Sequence, residues 1–267
     1  MSEPQFGWIP PSDEKRAQNM RYSLSNIYAE PPLTVEYQFY VPPYVAHYDQ
    51  VSGSCTGYSS SWMASIYNKK KYDGMWLYRR GQDTDNDPNT ERDPDGGHIW
   101  AVLDVLRKEG HVISGEKTPT KAEGIDSYYW CLNADNVRTA VNLKRVPVFG
   151  FFWFQEFNSP RTINGEFWIG SRAKWGGVLG GHAICCVAAS DQRQAFKLVN
   201  SWGASYPQVW ISYKSINRLL SLGGECAIAL DLPSEPTPPP PPPPPVEKKL
   251  VEIRADGKVY AGELEKF

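Results

Sequence analysis

The sequence has no excess charge of either sign: 28 Lys and Arg stand against 30 Asp and Glu, for a formal net charge of -2. That balance excludes a strongly basic nucleic-acid binder and leaves no acidic tail to explain. Long hydrophobic runs are also missing. The longest apolar stretches, 147–154 and 182–189, fall far short of a membrane span, and residues 1–6 lack the basic start and apolar run of a signal peptide. Neither nucleic acid nor a membrane is expected as a partner. Cysteine is sparse and odd in number, with Cys55, Cys131, Cys185, Cys186 and Cys226 and no CxxC spacing. The pattern argues against a disulfide framework or a tetrahedral zinc site. The expected setting is therefore a reducing compartment, cytoplasmic or virion-associated, with at least one free thiol and no cofactor.

What the sequence does hold is enough apolar matter for a sizeable core: 41% hydrophobic and 13% aromatic residues in a chain of 267. That length suits one large domain or two medium ones, and the composition excludes a wholly disordered chain. Proline is the local excess, since ten of the 23 lie between Pro233 and Pro245. The eight consecutive prolines 238–245 predict a stiff left-handed rod of roughly 3 Å per residue, about 25 Å long. Beyond it, Asp256-Gly257 between two β-prone runs in 246–267 is a hairpin signal. Two strands alone are marginal in water, so this segment is expected to dock onto a partner protein or assembly.

The rest divides by texture. Residues 1–40 are polar and proline-spotted and read as an extended arm. From Cys55, apolar positions at Tyr58, Trp62 and Ile66 predict a buried helix. A second helix is predicted from Ile99 to Gly110, with the glycine just past its end, and a third from Ala134 to Leu143. After Pro147 the runs 148–154, 182–189, 195–200 and 209–213 read as strands. Helices first and strands second predict an α+β protein spanning 41–232, with 233–245 as linker.

Chemistry concentrates at a few positions. Cys55, in Gly53-Ser54-Cys55, sits at the predicted start of a helix, where unpaired N–H groups and the helix dipole favour a thiolate. By itself a free cysteine is more often a small core residue. His182 opens an apolar run, Asn200 closes the next, and Gln50 stands five residues before Cys55. His182 follows Cys55 by 127 residues and Asn200 by 145. Cysteine, histidine and asparagine in this order can form an activated nucleophile whose imidazole is oriented by the amide. Asp83, Asp85 and Asp87 hint at a calcium loop, but Pro88 and Pro94 stand where that loop needs glycine and glutamate. His182 with Cys185 and Cys186 is no better as a metal site, because neighbouring strand residues point to opposite faces.

On these motifs the chain resembles the papain-like cysteine proteases, of a microbial or viral type. Gly53-Ser54-Cys55 is similar to that family's nucleophile segment, Gly96-Gly97-His98 to its paired-glycine strip, and Arg145-Val146-Pro147-Val148 to its lead into the sheet half. Gly181-His182-Ala183 and Asn200-Ser201-Trp202-Gly203 resemble its histidine and asparagine motifs. The resemblance covers about residues 40–232 and implies a two-lobed fold, a helical half and an antiparallel sheet or barrel half with the cleft between. It implies a peptide or protein substrate cleaved through an acyl-enzyme. Cys55 would be the nucleophile and His182 the general base and then acid. Asn200 would orient the imidazole under Trp202, and Gln50 with the Cys55 N–H would form the oxyanion hole. Gly96 and Gly97 would meet the substrate backbone, and His98, Ile99 and Ala183 would line the main specificity pocket.

The chain also departs from the family. Its glutamine normally precedes the cysteine by six residues, so the loop here is one residue tighter or Gln50 plays another part. Thr56 follows the nucleophile where tryptophan is usual, and a second Trp-Gly after Gly203 is missing. With 54 residues ahead of Cys55, a long inhibitory propeptide has no room, and control by a partner is expected instead. Two alternatives stay open: a papain-fold binding or structural protein of a larger assembly such as a virion, and a papain-fold ligase or amide transferase. Peptidoglycan-cleaving cysteine hydrolases also order Cys before His, but in smaller domains.

Overall fold

A computed structural model describes residues 5–28, 34–43, 48–87, 90 and 96–230, and the backbone of 249–255 and 258–264. The polyproline run 233–245 lies outside the described residues. The chain divides into two compact units, Met1–Asp231 and Leu232–Phe267.

In the first unit, helices α1 (Asp13–Arg21), α2 (Cys55–Asn68), α3 (Gly74–Thr84), α4 (Ile99–Lys108) and α5 (Ala134–Asn142) precede most of the strands, and α6 (Tyr213–Ser221) comes late. Helix α2 is buried on nearly every face, from Cys55 through Ile66, as its four-residue apolar spacing predicts. It ends at Lys69, which takes a left-handed φ of 56° and returns its N–H to Ser65. Helix α3, which no apolar periodicity announces, is started by Asp73, whose carboxylate accepts from the Trp76 N–H. Ser212 caps α6 in the same way.

The strands are β1 (Glu36–Gln38), β2 (Ser127–Trp130), β3 (Val148–Phe154), β4 (Arg161–Ile163), β5 (Glu166–Trp168), β6 (Val178–Ser190), β7 (Ala195–Val199), β8 (Val209–Ser212) and β9 (Glu225–Leu230). They form one sheet in the order β2-β9-β3-β6-β7-β8-β5-β4, with β1 paired to β6. The pairs are antiparallel except β5 with β8. Strand β3 is almost fully buried on both faces, which is why its sequence reads as a continuous apolar run and not an alternation. Strand β6 is exposed at Val178 and Leu179 and buried from His182 onward, so its first residues emerge at an edge while the rest crosses the core. Helices and sheet share one apolar core that contains Cys55, Ile99, Phe149, Trp153, Ala183 and Ile211.

The expected arm is part of this body. Ser12 caps α1, which packs on β2, and β1 adds a strand to β6. In the second unit, β10 (Lys249–Ala255) and β11 (Lys258–Leu264) pair antiparallel across the Asp256-Gly257 position that signals a hairpin.

Asp191, in the turn after β6, ties the body together. One carboxylate oxygen accepts from Arg138 Nε and from the Tyr213 hydroxyl, each at 2.8 Å. The other accepts from Arg138 Nη2 at 2.6 Å and from the Val35 N–H at 2.7 Å. Burial alone would push this carboxyl up, but the donors from Arg138, Tyr213 and Val35 hold it below the usual carboxylate range. A lowered folded value means that the contribution is present above pH about 4 and is lost as pH falls through that lowered value. Asp191→Ala removes the shared acceptor of Arg138, Tyr213 and the Val35 N–H, leaves the half-buried Arg138 to Asp135, and is expected to cost about 2 kcal/mol at neutral pH. Urea denaturation checks this, and the gap to wild type should close as both proteins are acidified.

Candidate active site

Cys55 is the first residue of α2 and is completely buried. His182 is equally buried on β6, and Asn200 and Ser201 follow β7. Because α2 packs on β6, the helix N-terminus lies beside the histidine strand: the Cys55 sulfur hydrogen-bonds toward the backbone of Ala183, the residue after His182.

The imidazole is held from one side. His182 Nε2 is 2.9 Å from Asn200 Oδ1, and that same oxygen accepts from the Ser201 N–H at 2.7 Å. A backbone N–H can only donate, so the Asn200 atom must be the oxygen and Nε2 must carry the proton. The free lone pair is therefore on Nδ1, which has no hydrogen-bond partner. Aromatic rings enclose the pair. Trp202 lies 4.6 Å from the imidazole, and Trp153 meets it edge-on at 5.0 Å. Trp153 reads in sequence only as a core residue of an apolar strand; its place at the histidine appears only once β3 and β6 are paired.

Gln50 reaches the cleft despite its short spacing. Ser52, in the turn between Gln50 and Cys55, adopts a left-handed φ of 58°. The Gln50 carbonyl oxygen accepts from Ser201 Oγ at 2.6 Å, leaving the amide Nε2 to donate into the cleft.

The cleft is filled by the chain's own N-terminal segment, residues 5–9. The N–H groups of Gly7 and Trp8 donate to the Gly181 carbonyl at 2.8 and 2.9 Å. On the opposite wall the Gly97 N–H donates to the Gly7 carbonyl at 2.7 Å, and the Ile9 N–H donates to the Gly97 carbonyl at 3.0 Å. The Gln5 carbonyl accepts from both Gln50 Nε2 and Trp202 Nε1, each at 3.2 Å. Phe6 packs edge-on against His182 and Trp202. Only glycine fits at position 7, where a Cβ would lie 1.7 Å from the Gly53 carbonyl oxygen.

The other expected residues are placed as follows. Gly96 donates its N–H to the Tyr78 hydroxyl and accepts from Gln82, so it braces the strip. His98 uses both ring nitrogens, on the Ile9 carbonyl at 3.0 Å and on Asp87 at 2.9 Å. Asp87 belongs to the acidic loop and has no motif of its own. Ile99 is wholly inside the core, and Ala183 is buried opposite Gly150 on β3. Thr56 is buried beside Gly97.

The segment 5–9, a strap across the cleft, helps to set the protonation of the pair. Burial pushes the Cys55 thiol up to about 12, against hydrogen bonds from the backbone of Ala183, Gly7 and Thr56. Burial also pulls His182 down to about 4, against the Asn200 hydrogen bond. At neutral pH both groups are uncharged, and a thiol is a poor nucleophile.

No protein-family model matches the chain, and no curated protein matches it in sequence. Its fold, however, is that of known structures. Xylellain, a cysteine protease from Xylella fastidiosa, superposes with a TM-score of 0.62 at 18% identity, over 87% of this chain and 99% of that one. Procathepsin B S9 from Trypanosoma congolense gives 0.54 at 12% identity over 84% of this chain and 86% of its own. A digestive procathepsin L2 proteinase from the Tenebrio molitor larval midgut gives 0.51 at 14% identity, over 85% and 78%. The fold is papain-like.

Displacing the strap rehydrates the sulfur and lowers its pKa. In the full chain, iodoacetamide should therefore label Cys55 slowly until strongly alkaline pH. Gly7→Val should raise the rate at neutral pH at least about tenfold and move the onset to lower pH. Peptide mapping of the labelled protein reads both, and an unchanged profile would mean that the strap does not shield the thiol.

Proposed function

We propose that this chain is a cysteine peptidase, latent in the conformation described, which hydrolyses peptide bonds through Cys55, His182 and Asn200. The observation that carries the reading is the His182–Asn200 hydrogen bond, which leaves Nδ1 as the free base on the strand packed against the Cys55 end of α2. The strap supports the substrate class: the cleft already binds an extended peptide backbone through Gly97 and Gly181.

With a substrate in place of the strap, His182 Nδ1 takes the thiol proton as Cys55 Sγ bonds to the scissile carbonyl carbon. The carbonyl oxygen becomes an oxyanion, for which the Cys55 N–H and Gln50 Nε2 are the donors. The C–N bond then breaks, and the imidazolium gives its proton to the leaving amine. Water, deprotonated by His182, attacks the thioester and releases the acid product and the thiol. Asn200 holds the ring so that the same nitrogen serves both steps, while Trp202 and Trp153 keep water from that contact.

The cleft is closed by the chain's own residues 5–9, which must leave before a substrate enters.

The test uses the full chain carrying Gly7→Val and a fluorogenic peptide. Adding Cys55→Ala should remove activity by a factor on the order of a thousand or more, and Gln50→Ala should lower kcat by about 100- to 1,000-fold. A pre-steady-state burst of amine product would report the acyl-enzyme. Turnover that survives Cys55→Ala would sink the reading, as would a strap-opened protein that alkylates readily and turns over no peptide.

A further inference from the structure

Several arginines of the body pair with carboxylates: Arg80 with Glu109, Arg138 with Asp191 and Arg193 with Glu166. One cavity gathers three cations that do not. It has a volume of about 650 Å³, lies between the loop after β5 and the first turns of α6, and is lined by Arg172, Lys214 and Arg218. Among the described residues no Asp or Glu lines it, and none of the three cations forms an ion pair. Lys214 and Arg218 stand four residues apart on α6 and so share a face, while Arg172 comes from the loop. None of the lining residues meets the strap, so the cavity lies outside the cleft.

One of the cations is held in place by the core. The Arg218 guanidinium lies 4.0 Å from the centre of the Trp175 ring. That ring is 4% exposed and packs against Phe154 at 5.2 Å and Phe157 at 5.3 Å. Stacking uses the flat face of a guanidinium and leaves its N–H edge for a ligand. Trp175 brings a further donor, since its Nε1 is buried with no hydrogen-bond partner. The adjoining Cζ2 edge lies 3.5 Å from where a Gly170 Cβ would be, and Ser215 Oγ lies 3.3 Å from the same point. Gly170, Ser215 and Trp175 all line the cavity, so this edge of the ring belongs to its floor. The floor is fixed: Ser215 Oγ donates to the Gly170 carbonyl at 3.0 Å, and the Gly170 N–H donates to Glu156 at 2.6 Å. Glu156 itself is buried and does not line the cavity.

We propose that this cavity binds a phosphate group, whether free or carried on a phosphorylated peptide. Three positive charges around one cavity repel each other, and a group bearing close to two negative charges at neutral pH relieves all three. The Arg218 fork suits two phosphate oxygens, and Lys214 supplies a point charge. Lys214 is also the second residue of α6, where the helix adds its partial positive charge. Trp175 Nε1 is the neutral donor of the set. A carboxylate carries one charge and two oxygens and satisfies fewer of these groups. The site is remote from Cys55 and stands whether or not the chain cleaves peptides.

Calorimetric titration of the full chain with inorganic phosphate, against chloride at matched ionic strength, tests this. One saturable site is expected, weakening as salt is raised. Arg218→Gln and Lys214→Gln should each raise Kd at least about tenfold, while Lys117→Gln, an exposed lysine outside the cavity, should leave it unchanged. Trp175→Phe keeps a ring beneath Arg218 and removes the N–H, so it should raise Kd by about two- to tenfold. Circular dichroism identifies any variant that fails to fold, and the two exposed cations carry the test if Trp175→Phe is one. A phosphoserine peptide that competes with phosphate, where its unphosphorylated form does not, assigns the carried source; phosphate binding without that competition assigns the free one. Absence of saturable binding by both probes would overturn the proposal. So would acetate binding as tightly as phosphate, or Lys117→Gln weakening phosphate as much as Lys214→Gln.

Discussion

Everything at the site depends on one packing constraint, the contact of helix α2 with strand β6. A helix buried on almost all sides cannot choose its orientation freely, and its N-terminus points where the sheet edge leaves space. There the helix supplies unpaired N–H groups, and the strand supplies His182 just as it passes from exposed to buried. Asn200 arrives by the same logic, since β7 pairs antiparallel with β6 and runs out beside the histidine. No residue of the group is held by a flexible loop alone except Gln50, and there the left-handed Ser52 fixes the loop.

That constraint has an electrostatic consequence. A site built inside the core is dry, and dryness disfavours both the thiolate and the imidazolium. The strap completes the drying, with Phe6 on the imidazole and Gly7 on the sulfur. A charged thiolate–imidazolium pair thus requires water or a polar substrate to enter. In the closed geometry burial keeps both members of the pair uncharged at neutral pH.

Sequence pattern exposed the parts of this that are periodic or carry rare residue combinations. Helices α2, α4 and α5 and strands β3, β6, β7 and β8 follow from apolar spacing, and the Cys-His-Asn order from residues too specific to be filler. Helix α1 was hidden because DEKRAQNMR has no apolar stripe; it is held by the Ser12 cap and by Arg16 reaching the Gly223 and Gly224 carbonyls. Helix α3 was hidden by Gly74 and Gly81, residues that weaken a helix in isolation and here permit close packing on α2 and α4. Trp8 and Glu225 stand 217 residues apart, and nothing local to either marks it as functional. What joins them is the register of β3 with β9, which sets Gly150 opposite Glu225, and pairing register is a tertiary fact.

Closing the cleft takes little chain. Inhibition does not need a folded domain if the cleft supplies backbone partners on both walls. Five residues use the Gly97 and Gly181 hydrogen bonds, the two donors on the Gln5 carbonyl and one anchored side chain. Each is individually modest, on the order of 1 kcal/mol, so the closed state is stable only because they form together on an ordered chain. Helix α1 provides that order. It begins four residues after Ile9 and packs on β2, so the strap is tethered at short range and competes with any free peptide at high effective concentration. The tether keeps the strap near, and the hydrogen bond from Trp8 Nε1 to Glu225 Oε1 anchors the one large side chain that the strap buries.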